Sequence, residues 1–266
     1  MEQHIDLDSL CGQVVQIVKE AGGFIRREAG NFDLQRIEYK GAKDMVSYVD
    51  KETEKILVKK LYELLPDSGF ITEEGTIARN ASEYKWVIDP LDGTTNFLHG
   101  LPLYSISVAL IHNYDILVGV VYEIDKGECF HARKGGGAFL NGSPIKVSPI
   151  NQLDQSLIAT GFPYDLLDKS GTYFKILEEL VDTTHGLRRL GSAAIDLCYV
   201  ACGRFEAYFE FNLKMWDIMA GVLILKEAGG KVCDFKGGND YFYGKELLAT
   251  GAIESPMLEV IGKHWS

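Results

Sequence analysis

Leu7, Leu10, Val14, Ile17, Val18, Ala21 and Ile25 recur at helical spacing with polar residues between them. The pattern predicts an amphipathic helix over 7–28, ended by Gly30-Asn31. Ile56, Leu57, Leu61 and Leu64 repeat it and predict a second helix over 49–65, stopped by Pro66. The intervening EYKGAKDMVSYVD is polar and contains glycine, which suits a hairpin or a mobile loop. Short apolar runs follow at Gly69 to Thr72 and Trp86 to Ile88, each running into acidic residues. Ser105 to Ile111, Ile116 to Ile124 and Glu128 to Arg133 predict three consecutive strands, and Asn113-Tyr114-Asp115 and Asp125-Lys126-Gly127 suit hairpin turns between them.

The second half predicts helices over 170–183, 192–202 and about 217–228, the last ended by Gly229-Gly230. Strand-like runs lie at Glu206 to Phe211, Lys231 to Asp234 and Leu247 to Thr250, the last two closing the chain. Helices and antiparallel strands mix without a βαβ rhythm. This points to a layered α+β fold rather than a doubly wound parallel sheet. A soft boundary near 145–155 would divide an N-terminal lobe, 1–150, from a C-terminal lobe, 151–266, within one compact unit.

Composition narrows the function classes. The chain has 266 residues, 46% hydrophobic and 24% charged, ample to bury a core and ordinary for a globular protein. No apolar run reaches 18 residues, so no membrane span is expected. MEQHIDLDSL lacks a basic stretch followed by an apolar one, which argues against a secretory signal. The five cysteines are odd in number and form no C-x-x-C pair. They read as small buried apolar residues in a reducing cytoplasm, not as disulfides or a zinc site. The net charge of −11 argues against non-specific nucleic-acid binding. It leaves an anionic substrate open, because bound metal ions reverse the local charge of a site.

The chemistry concentrates in Asp89-Pro90-Leu91-Asp92-Gly93-Thr94-Thr95-Asn96-Phe97. A strand ending at Ile88 delivers Asp89 and Asp92 into a turn. Pro90 fixes part of that turn and Gly93 permits close backbone approach. Thr94, Thr95 and Asn96 suit the opening of a helix, whose N–H groups attract an anion. One segment thus offers hard oxygen ligands for a divalent cation and donors for a phosphate. Glu73-Glu74 end an apolar run, and strand alternation lets only one of them face a shared metal. Asp217 stands at the start of an apolar helix, an ordinary N-cap position. Glu210 ends the aromatic strand Tyr208-Phe209-Glu210-Phe211. Arg188 and Arg189 read as surface charge or a subunit contact.

Asp89 to Phe97 resembles the signature of the inositol monophosphatase family, a branch of the lithium-sensitive, magnesium-dependent phosphatases. Glu73-Glu74, Trp216-Asp217-Ile218-Met219-Ala220-Gly221, Glu227-Ala228-Gly229-Gly230, the loop from Lys43-Asp44 through Asp50, and Gly191-Ser192-Ala193-Ala194 match other family segments in order. The similarity spans about residues 10 to 250. It implies an α-β-α-β-α sandwich of the inositol monophosphatase or sugar phosphatase type, in a cytoplasmic homodimer.

The same resemblance implies two or three Mg²⁺ ions per subunit, which all-oxygen ligands favour. One would be held by Glu73, Asp89 and the Leu91 carbonyl. A second would be held by Asp89, Asp92 and Asp217, about 3.5–4 Å away. A third, weaker ion would sit near Glu73 and the Asp44 loop. Glu73 and the Thr94 hydroxyl would activate a water, with Asp89, Glu73 and Thr94 as the catalytic set. Asp92, Gly93, Thr94, Ser192, Ala193, Glu210 and Asp217 would contact the substrate. Lys40 and Lys43 would order around metal and phosphate. The expected substrate is inositol 1-phosphate. Fructose-1,6-bisphosphatase, nucleotide 3′-phosphatase and histidinol-phosphate phosphatase are alternatives within the family. A regulatory homologue that binds proteins in transcription or RNA processing is the alternative from another class.

Overall fold

The computed structural model describes residues 5–30, 37–39, 45–77, 82–113, 115–162, 169–243 and 245–265, with backbone alone at 37–39 and 45–46. Lys40, Lys43 and Asp44 lie outside the described residues. Helix α1 (Leu7–Ala29) is capped by Asp6, whose carboxylate accepts from the Asp8 and Ser9 amides. Strands β1 (Ile37–Tyr39) and β2 (Met45–Ser47) pair antiparallel, the hairpin of the two expected alternatives. Helix α2 (Tyr48–Leu64) opens in a capping box. Ser47 Oγ accepts from the Val49 amide at 3.1 Å, and Asp50 accepts from the Ser47 amide at 2.8 Å and its hydroxyl at 2.6 Å.

A seven-stranded sheet runs in chain order: β3 (Gly69–Thr72), β4 (Tyr84–Asp92), β5 (Ser105–His112), β6 (Asp115–Glu123), β7 (Glu128–Arg133), β8 (Ala138–Leu140) and β9 (Ser143–Pro144). The pair β3–β4 is parallel and the remaining pairs are antiparallel. A five-stranded sheet has the order β11 (Gly186–Arg188), β10 (Leu157–Thr160), β12 (Ala207–Phe211), β14 (Glu246–Thr250), β13 (Lys231–Cys233). The remaining helices are α3 (Thr94–Leu98), α4 (Ser170–Thr183), α5 (Ala193–Ala201), α6 (Met215–Glu227) and α7 (Glu254–His264).

Strand alternation turns these elements into layers. Trp86 and Ile88 of β4 pack with α1 and α2, whereas Val87 between them packs with α5 and α6. Tyr208 of β12 joins the same α5–α6 core, while its neighbours Ala207 and Phe209 pack against α4 and α7. The order is therefore α1/α2, large sheet, α5/α6, small sheet, α4/α7, an α-β-α-β-α sandwich.

Three departures from the sequence pattern have physical causes. Strands β8 and β9 hold three and two residues among glycines and a proline, too few to display alternation. The chain does not close on β14, because α7 follows. Its Pro256 falls in the first turn, where a missing N–H costs nothing, and Met257, Val260 and Ile261 carry a short helical stripe. Helix α6 begins at Met215, which makes Asp217 its third residue and not its N-cap. Among the described residues no helix is long and apolar enough to cross a membrane. The five cysteines are free thiols, and burial pushes those of Cys11 and Cys129 up to about 11 and about 12.

Candidate metal and phosphate centre

A cleft of about 320 Å³ is built from the end of β4, the residues after β3 and β12, and the first turns of α3, α5 and α6. Glu73, Asp89, Asp92, Asp196, Glu210 and Asp217 line it, against two cationic side chains, Arg189 and Lys214. No histidine or cysteine is among its described lining residues.

Strand β4 does not stop at Ile88. It pairs with β5 through Asp89 opposite Ser107 and Asp92 opposite Ser105, so three steps on one strand meet two on the other. Pro90 lies inside this bulge, where its missing N–H breaks no ladder bond. The bulge aims both aspartates at the cleft. Gly93 then turns the chain with φ +98°, and a Cβ there would lie 3.0 Å from the Leu103 carbonyl. Only glycine combines that conformation with that approach. Helix α3 starts at once, its Phe97 amide bonded to the Gly93 carbonyl at 3.0 Å. Asn96 ties the turn down by donating to the carbonyls of Leu103 at 2.7 Å and Leu190 at 2.8 Å.

The carboxyl groups stand close enough to repel. Burial, then Glu73, Asp92 and Asp217, raise the Asp89 carboxyl well above the usual range, and Asp89 is hydrogen-bonded to Glu73. Burial and Asp92 push Asp217 up to about 8. Asp92 is pushed up by burial to about 6, with the Ser192 hydroxyl at 2.6 Å and the Ala194 amide at 2.8 Å holding it down. Burial pushes Glu210 up to about 7 against the 2.6 Å hydrogen bond from Tyr208. Among the described residues no three acidic, histidine or cysteine side chains close into a finished metal cage. The donor set itself suits a hard divalent cation: all oxygen, densely acidic, and short of positive charge.

Each residue expected at the site has a definite place. Glu73, Asp89, Leu91, Asp92, Gly93, Thr94, Ser192, Ala193, Glu210 and Asp217 all line the one cleft. Glu73 faces it and Glu74 is not among its lining residues, as alternation requires of such a pair. The Ser192 hydroxyl serves Asp92 and also caps α5 through the Ile195 amide at 3.4 Å. Asp217 accepts from the Lys214 amide at 2.6 Å, so it also closes the first turn of α6. Arg188 and Arg189 are both exposed, but Arg189 also lines the cleft, and its charge lowers the pKa values of Asp92 and Glu210.

Three contributors carried no assigned role in the sequence. Asp50, buried at the start of α2, accepts from the Thr94 hydroxyl at 2.9 Å, and the same hydroxyl reaches the Leu91 carbonyl at 2.9 Å. Burial raises the Asp50 carboxyl. Buried Glu54 accepts from the Glu74 amide at 2.8 Å and the Thr76 amide at 2.7 Å, which fixes the segment carrying Glu73. Gly161 leaves room for Glu210: a Cβ there would stand 1.8 Å from its Oε2.

The sequence profile of the inositol monophosphatase family matches residues 6–264. The Nus factor SuhB of Vibrio cholerae serotype O1 is 40% identical over 237 residues, 89% of either chain. The inositol-1-monophosphatase of Mesorhizobium japonicum is 37% identical over 260 residues, 97% of this chain and 98% of that one. Among solved structures, the extragenic suppressor protein suhB of Bartonella henselae superposes with a TM-score of 0.90 at 38% identity, covering 96% of this chain and 99% of that one.

Proposed function

The chain belongs to the inositol monophosphatase family, and from that premise we propose that it hydrolyses phosphate monoesters with Mg²⁺, inositol 1-phosphate being its substrate. The observation that carries this reading is the meeting of Glu73, Asp89, Asp92 and Asp217 beside the Gly93–Thr94 turn. Mg²⁺ bound by these carboxylates and the Leu91 carbonyl supplies the positive charge that polarises the phosphoryl group and acidifies a water.

The chain's own groups do the rest. Backbone N–H groups of Gly93 and Thr94 hold phosphate oxygens at the start of α3. Thr94 Oγ1 accepts a hydrogen bond from the attacking water while its own proton points to Asp50. As the new P–O bond forms, the water's proton passes to Thr94 Oγ1 and the Thr94 proton to buried Asp50, whose raised carboxyl suits it to receive one; the ester P–O bond breaks, the leaving alkoxide takes a proton from solvent, and Asp50 returns its own to solvent. Glu73 orients the same water. Phosphoryl transfer needs mainly positioning and electrostatics, so no protein nucleophile is required. Glu210 and the Ser192–Ala193 segment meet the alcohol part of the ester. Two or three Mg²⁺ per subunit, lithium sensitivity, a homodimer and a cytoplasmic location go with this reading.

Phosphate release from inositol 1-phosphate, fructose 1,6-bisphosphate, adenosine 3′,5′-bisphosphate and histidinol phosphate tests it, with Mg²⁺, with chelator, and with Mg²⁺ plus Li⁺. The expected result is Mg²⁺-dependent, Li⁺-sensitive release led by inositol 1-phosphate. A lead by another ester keeps the metal chemistry and changes the substrate. A second reading is a protein-binding role in transcription, favoured by the relative named as a Nus factor. It gains if no ester is turned over while metal binding is intact.

A further inference from the structure

Helix α5, AAIDLCYVA, is buried at all nine positions, and Asp196 is its one charged residue. Asp196 is 1% exposed, yet it lines the cleft, and its Oδ1 has no hydrogen-bond partner among the described residues. Nearby polar groups are spent elsewhere: the Tyr208 hydroxyl on Glu210 at 2.6 Å and the Ser192 hydroxyl on Asp92 at 2.6 Å. A buried polar atom left unpaired costs free energy comparable to a lost hydrogen bond. The cleft is the side from which a partner can arrive.

We propose that Asp196 is a specificity residue that hydrogen-bonds a hydroxyl on the alcohol part of the substrate, so that the cleft selects phosphate esters of polyols. This rests on the reading of the cleft as a phosphomonoesterase site. Asp196 on α5 and Glu210 near the end of β12 would then hold separate hydroxyls, with the phosphate fixed at the Gly93 turn. Burial, Glu210 and Asp92 raise the Asp196 carboxyl well above the usual range. A carboxyl that keeps its proton suits a neutral hydroxyl, which both donates and accepts, better than an ammonium group.

The test compares wild type, Asp196→Ala and Asp196→Asn on inositol 1-phosphate and on p-nitrophenyl phosphate, which has no alcohol hydroxyl, in Mg²⁺. Asp196→Ala should lower kcat/KM for inositol 1-phosphate about tenfold, mainly through KM, and change p-nitrophenyl phosphate less than about twofold. Asp196→Asn, which still hydrogen-bonds, should restore inositol 1-phosphate to within about threefold. Equal losses on both esters, or no loss on either, overturn the proposal and leave the phosphatase reading standing. No turnover of either ester by wild type defeats the phosphatase reading, and the subsite with it. Should the alanine variant not fold, deoxy-inositol phosphates supply the same comparison. At least one missing hydroxyl should cost wild type about tenfold and cost Asp196→Leu, which cannot hydrogen-bond, less than about twofold; equal costs in the two proteins overturn it.

Discussion

Glu210 is held by one hydrogen bond from Tyr208 and by the absence of a side chain at position 161. Gly161→Ala should push the carboxylate aside and lower kcat/KM for a polyol phosphate by about tenfold, leaving p-nitrophenyl phosphate nearly unchanged. Steady-state kinetics on the two esters checks this. Burial pushes Glu210 from its ordinary 4.5 up to about 7. A carboxyl raised in the folded state stabilises most below its unfolded value and loses that contribution as pH rises through the folded one. In chelator, Glu210→Gln should therefore gain about 2–4 kcal/mol on wild type between pH 4.5 and pH 8. Thermal unfolding across that range reads the sign; a gap that stays constant with pH refutes it. The acids of Asp89 to Phe97 were legible because one short run places them. Asp50 ends a segment that matches the family, but its partnership was not legible: Thr94 lies 44 residues away, and only the fold brings them together.

At the scale of elements, the site depends on α2 as much as on the strands. Glu73 follows β3, tied to β4 by its amide to the Ile88 carbonyl at 3.2 Å. The next residues hang on Glu54, which also accepts from the Thr76 hydroxyl at 2.6 Å. Glu54→Gln turns part of that acceptor into a donor facing amides. It should cost about 1–3 kcal/mol of stability and about tenfold in Mg²⁺-dependent kcat, measured by urea unfolding and phosphate release. A loss of stability with kcat unchanged would show that Glu73 holds its place without Glu54. Helices α1, α2 and α4 were legible from their apolar period, since each lies on a sheet with one face. Short β10 and β11 were not, because three or four residues between polar segments carry no period.

Across the whole molecule, the layers are joined at points remote from the cleft. Glu128 on β7 receives both guanidinium nitrogens of Arg204, each at 2.6 Å, and Arg204 stacks over Tyr199 of α5 at 4.5 Å. The Arg204 hydrogen bond lowers the Glu128 carboxyl below its ordinary 4.5. A depressed carboxyl contributes stability above its unfolded value and loses it as pH falls through the folded one. Glu128→Gln should thus be about 0.5–1 kcal/mol less stable at pH 7, and the gap should close below about pH 4.5. Urea unfolding at pH 7 and pH 4 measures it. The α+β class was legible from mixed helices and hairpins. The α-β-α-β-α order came from the family resemblance and not from the pattern, because β4 and β12 are apolar on both faces and alternation alone does not say which helix covers which face. The central claim is that carboxylates gathered across these layers hold Mg²⁺ for phosphate ester hydrolysis. Its most direct test is phosphate release from inositol 1-phosphate in Mg²⁺ by Asp92→Asn beside wild type. The account predicts a loss of about 10³-fold or more in a variant that melts as high as wild type in chelator. Activity within tenfold of wild type would contradict it.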